Sequence, residues 1–256
     1  MGDSLYADAT PLLAHEFHED VERVLKIKQA KLSGDVAALA LDSAHSVAFH
    51  TGLGASLYPT PTTALKNYLN ENSVADFAGA AYAKSNIALV AEGAASSNVS
   101  KWTEHFFKSV PAGAASVSSK ATTYYGGEQR TAHVGGNSFV IAFPGSGFAA
   151  PKPEVAVISA LLGGQPNVKW SSGFSLLSKA AANSPGATAV ATNHTYSDAG
   201  LFAVQINGTA AAVRSAALEA AKAIKSIAEG TVSKEDLVKA IAKAKLGAAS
   251  ARFMIL

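Results

Sequence analysis

The stretch "GATAVATNHTYSDAGLFAVQIN", residues 186–207, restricts the fold of this chain more than any other. Its two halves flank Ser197-Asp198, a turn pair, and read as the strands of a β-hairpin. A helical run, "AAAVRSAALEAAKAIKSIAEG", follows and ends at Gly230, a natural C-cap. Ser233 with Asp236 then opens a last helix as a capping box. Upstream, "HVGGNSFVIAFPG" ends in a strand and "PEVAVISALLG" reads as a helix. Antiparallel strands with helices gathered on one face define an α+β fold.

The earlier part of the chain is more helical. Val21, Val24, Leu25, Ile27 and Leu32 recur near helical spacing, and after Gly34 "DVAALALDSAHSVAFH" continues as a second run. Residues 51–63, rich in Gly, Pro and Thr, form a loop. Ser73 with Asp76 predicts the start of a helix over "VADFAGAAYAK", "NIALVAEG" (86–93) predicts a buried strand, and "VSKWTEHFFKSV" (99–110) predicts an amphipathic helix stopped by Pro111. The small-residue stretch 111–123 is the best boundary. It divides the chain into a first domain over 1–110 and a second over 124–256.

Composition excludes several classes of function. With 48% apolar and 16% charged residues, 256 residues can build a substantial core. Net charge is +2 with no basic run, so nucleic acid has no electrostatic footprint. The absence of cysteine removes disulfides, thiolate metal sites and cysteine nucleophiles. No apolar stretch approaches the ~20 residues of a spanning helix, and "MGDSLYADATPLL" is neither a signal nor a basic transit peptide.

The motifs that could carry chemistry are few. His15-Glu16-Phe17-His18-Glu19-Asp20 resembles a zinc motif, but its histidines stand at i and i+3, whereas H-E-x-x-H and H-x-x-E-H both need i and i+4. It reads better as the acidic first turn of a helix. Gly145-x-Gly147-x-x-Ala150 sits between a strand and a helix, as a dinucleotide fingerprint does. Pro144, Pro151 and Pro153 disturb the helix start, however, and residues 155–197 hold no acid for a ribose. There is no G-x-S-x-G. His194 and Asp198 flank a turn, and His45, His50, His105 and His133 are isolated, each read as packing or surface. The residues therefore assign no catalytic, metal-ligating or cofactor-binding side chain.

Taken together, several segments resemble the pitrilysin-like zinc peptidase superfamily, in its mitochondrial processing peptidase and core-protein branch. Phe77, Tyr82, Ser85-Asn86 and Gly93 fit that pattern, followed by "FFKSVP". Tyr125, Gly126-Gly127-Glu128 and Arg130 stand where a second homologous domain begins, and "SDAGLFAV" matches an Asp-Gly-Leu-Phe strand with Ala199 inserted. "HEFHEDVERVLKIKQ", "AFHTGLGASLYPT" and "VKWSSGFSLLSKA" are most similar to the fungal core-protein-2 group. The last occupies the place of a glycine-rich substrate loop but holds only Gly173, with Ser175 and Lys179 after it.

The resemblance implies a fold of processing-peptidase-like repeats without peptidase activity. The third zinc ligand of active relatives would fall on Val21–Leu32, which here offers Lys26, Lys28, Lys31 and a single acid, Glu22. It also implies a structural, non-catalytic subunit of ubiquinol–cytochrome c reductase, peripheral on the matrix side of the inner mitochondrial membrane and paired with core protein 1. Such a subunit carries no cofactor, contacts no nucleic acid and has no span. The alternative is a substrate-presenting subunit of the zinc-dependent processing peptidase. Against the family, the first domain lacks its first half and the second stops early. An uncovered sheet edge and helix face then predict self-association or a partner.

Overall fold

The computed structural model describes residues 17–57, 71–113, 120–164 and 173–253. Two compact units emerge, one from 1–29 with 59–120 and the other from 30–58 with 121–256.

All the described strands lie in the second unit. β1 (Asn137–Pro144), β2 (Ala187–Thr195) and β3 (Gly200–Gly208) form an antiparallel sheet of order β1-β3-β2. The hairpin turns as expected at 196–199, where Tyr196 N–H bonds Ala199 O at 2.9 Å and Thr195 pairs with Gly200. β3 is central, so alternate side chains serve two faces. On one face Phe202, Val204 and Ile206 meet Val155 and Leu162 of α5 (Pro153–Leu162), Leu177 of α6 (Leu176–Ala182) and Val213 of α7 (Ala210–Ala228). Ala216 and Ala220, one turn apart and fully buried, let α7 lie close to the strands. α8 (Lys234–Phe253) packs outside α5 through Ala160, Leu161 and Ala240.

The α+β class follows from this arrangement, and the gathered helices of one face are α5, α6 and α7. The opposite face carries a helix of its own. α2 (Val36–Phe49) lays Ala48 and Phe49 on Leu201, and Gln205 Nε2 donates to Ala37 O at 2.7 Å. Asp35 starts this helix by accepting the Ala38 N–H at 2.9 Å. α1 (Phe17–Ser33) precedes it.

The first unit departs from expectation. α3 (Glu71–Ala81) contains Ser73 inside the helix instead of at its cap, and α4 (Ser96–Phe106) begins and ends earlier than 99–110. The strand expected over 86–93 is absent. Residues 84–86 form a 3-10 turn and the chain then runs irregularly, with Val90 91% exposed. An apolar run becomes a strand only where a neighbour completes its ladder, and the first unit has no strand among the described residues. In the second unit α6 adds a helix that the sequence pattern does not predict, because seven residues carry too little periodicity.

Candidate functional site

Three titratable side chains of the second unit, His45, His194 and Tyr196, come together where α2 meets the hairpin. His45 sits on α2, four residues before Phe49, while His194 and Tyr196 are two apart on the hairpin and so share a sheet face. His45 Nδ1 is 2.8 Å from Leu41 O and Nε2 is 2.7 Å from Tyr196 OH. A carbonyl only accepts, so Nδ1 carries the proton, and in the neutral ring Nε2 accepts from the Tyr196 hydroxyl. His194 stands edge-on to His45, ring centres 5.4 Å apart. Burial, and then the neighbouring His45, hold His194 below its ordinary pKa, while burial raises that of Tyr196.

This arrangement has little catalytic capacity. Both ring nitrogens of His45 are taken up by bonds within the fold, Nδ1 with Leu41 O and Nε2 with the Tyr196 hydroxyl, so neither is free to move a substrate proton. Asp198 is engaged elsewhere, accepting the Thr122 N–H at 2.7 Å, the contact that chiefly lowers its pKa. Tyr196 stays a phenol. The rings therefore tie α2 to the hairpin. The sequence alone shows His45 as isolated and His194 with Asp198 around a turn; the period-2 spacing of His194 and Tyr196 is the signal that could have linked them.

The glycine motif has a packing role. A Cβ on Gly145 would lie 2.3 Å from Asn193 Oδ1, and one on Gly147 would lie 2.7 Å from Ala199 O. Ser146 N–H donates to Asn193 Oδ1 at 2.9 Å, and Asn193 Nδ2 returns a bond to Ser146 O at 3.0 Å. The loop is thus clamped onto the hairpin, and α5 starts only at Pro153, past the point where a phosphate cradle would need a helix N-terminus.

A cleft of about 510 Å³ lies between α5, the β2 edge and α8, lined by Ser159, Gly163, Gly164, Val190 and Lys243 among others. Its single titratable group, Lys243, lies 5.7 Å from the Phe174 ring centre. Of the stretch related to a substrate loop, 168–172 fall outside the described residues. Ser175 is buried and its hydroxyl meets Gly164 O at 3.2 Å and Ser178 at 2.6 Å, while Lys179 pairs with Asp236 at 3.3 Å. In the first unit an apolar groove of about 470 Å³ runs along α4, where Trp102 and Phe106 stack at 5.6 Å.

The opening histidine cluster is only partly within view. His15 and Glu16 lie outside the described residues, and of His18, Glu19 and Asp20 only the helical backbone of α1 is described. Among the described residues no three of His, Cys, Asp and Glu come together as metal ligands, and no helix is long and apolar enough to cross a membrane.

Comparison with known proteins gives a consistent match. Residues 68–244 match the family described as the peptidase M16 inactive domain. The chain is 58% identical over 243 residues to "Cytochrome b-c1 complex subunit 2, mitochondrial" of Neurospora crassa, covering 94% of this chain and 53% of that protein. Proteins of the same name from Schizosaccharomyces pombe (36%, 93% of this chain and 54% of theirs) and Cryptococcus neoformans (37%, 89% and 53%) are also similar. The chain spans about half the length of these relatives.

Proposed function

Since this chain belongs to the peptidase M16 inactive-domain family, we propose that it is a non-catalytic structural subunit of the mitochondrial ubiquinol–cytochrome c reductase, of the subunit 2 (core protein 2) kind. In this reading it supports assembly and stability of the complex from the matrix side of the inner membrane. Its partners are core protein 1 and the other subunits, and it carries no cofactor, catalytic residue or metal ligand of its own. Two domains, 1–110 and 124–256, joined by 111–123, remain the division we propose.

The observation that carries this reading is the 58% identity maintained over 94% of the chain to a protein named as that subunit. The side chains agree with it. Ser175 and Lys179, which a substrate-presenting subunit would turn toward a peptide, are spent on internal bonds. The groove along α4 offers apolar surface of the kind that subunit contacts use.

The test is complementation. The tagged chain is expressed in fungal mitochondria depleted of subunit 2, and native gels follow the reductase. Recovery of the tag within the complex is expected. A tag that stays outside it, while the purified chain binds or cleaves a basic presequence peptide, would overturn the scaffold reading in favour of a processing subunit.

A further inference from the structure

The sheet of the second unit has one edge, the outer side of β1, that no other described strand pairs. Gly145 N–H bonds Gly200 O at 2.8 Å, continuing the β1–β3 register and fixing the phase of the ladder. Odd-numbered residues of β1 therefore bond to β3, while Ser138, Val140 and Ala142 turn their N–H and C=O groups outward. Among the described residues, the one hydrogen bond reaching these outward backbone groups is from Tyr124 OH to Ala142 O, at 3.3 Å. The other edge is partly covered, since Ala191 N–H donates to Gly163 O at 2.8 Å and Gly164 bridges Val190.

β1 also lacks the devices that keep edges apart. "NSFVIAFP" holds no charge and no interior proline, and Phe139 and Phe143 are 40% and 39% exposed beside the open edge. An uncharged edge selects no charged partner. Its outward groups, by contrast, are complementary to themselves. Antiparallel pairing about Val140 sets Ser138 against Ala142 of the copy and Val140 against Val140, so that each outward N–H faces an outward C=O, Ala142 O serving both the copy and its own Tyr124 hydroxyl through its two lone pairs. A slip toward Pro144 brings Ser138 opposite a residue with no N–H. A slip the other way brings Ala142 opposite Gly136, whose φ of +146° leaves the strand conformation.

We propose that β1 is a self-association edge: two copies of this chain pair β1 to β1, antiparallel about Val140, and continue one sheet across both. In that register Phe139 lies against Ile141 of the copy, apolar on apolar. A single strand pair buries less than the ~1,200–2,000 Å² of stable interfaces, so the dimer is a concentration-dependent one. The inference rests on the register of β1 and is independent of the scaffold reading.

The test is light scattering on a dilution series of the whole chain. Val140→Pro removes the central outward donor without touching the β3 ladder, a substitution that edge strands tolerate, and Phe139→Glu sets two carboxylates near the two-fold axis. A monomer–dimer equilibrium is expected, weakened roughly tenfold by Val140→Pro through the two lost hydrogen bonds, with far-UV circular dichroism unchanged. If that variant does not fold, Phe139→Glu decides. Because the chain has no cysteine, Val140→Cys reads the register directly, its Cα atoms falling about 5.5 Å apart across the pair, within disulfide reach. A monomer at every concentration, a dimer that neither variant weakens, or cross-linking by Ile141→Cys but not Val140→Cys would each overturn the proposal.

Discussion

At the scale of single residues, His194 carries a pH dependence whose sign follows from its surroundings. Burial and the adjacent His45 favour its neutral form in the fold, whereas the unfolded chain releases it to titrate near pH 6.5. The folded-state pKa is depressed, so its contribution is fully present above about pH 6.5 and is lost as pH falls toward the lower folded value. Asp198 and Asp236 act in a separate window. Their pKa values are lowered chiefly by the bonds from Thr122 and Ser233, so their contributions fade only below about pH 4. Urea midpoints at about pH 7.5 and pH 5.5 should therefore differ in the native chain, and the difference should shrink in His194→Gln. Gly147 is the other telling residue, because its Cβ position is occupied by the Ala199 carbonyl. Gly147→Ala must push the loop off the hairpin and should cost about 1–3 kcal/mol in chemical denaturation.

At the scale of elements, local chemistry was legible where it acts over a few residues. The hairpin, the cap at Ser233 and the left-handed Gly230 (φ +68°) after α7 all follow from neighbouring side chains. Whatever depends on distant pairing was not. The strand expected over 86–93 has the right composition and no partner strand among the described residues. The same box pattern that starts α8 at Ser233 lies inside α3 at Ser73, two residues past Glu71, where the backbone is already helical. His45 and Tyr196 are 151 residues apart, so no window of sequence shows that they meet. The caps allow a graded prediction. Asp35 accepts from Ala38 N–H at 2.9 Å, while Thr209 reaches Ala212 N–H only at 3.4 Å. Asp35→Ala should cost about 1 kcal/mol and Thr209→Ala less, read as shifts in thermal midpoint.

At the scale of the whole molecule, the two units differ in how much apolar surface they bury. In the second unit Leu177, Leu201, Val204 and Ile206 are fully enclosed, each contributing on the order of 1.5–3 kcal/mol. In the first unit the buried hydrophobics among the described residues are Ala83 and Val110, while Phe77, Tyr82, Leu89, Val90 and Trp102 are exposed. Burial is the main term that offsets chain entropy, so local opening of the first unit should take far less free energy than opening of the sheet. Hydrogen exchange on the isolated chain is the direct measurement. Amides of α3 and α4 should exchange orders of magnitude faster than those of β3 and α7. A partner that covers the groove along α4 should slow exchange in α4 selectively, because it adds burial where the unit has least. Equal protection of α4 and β3 in the isolated chain would mean that burial does not set the order of opening here.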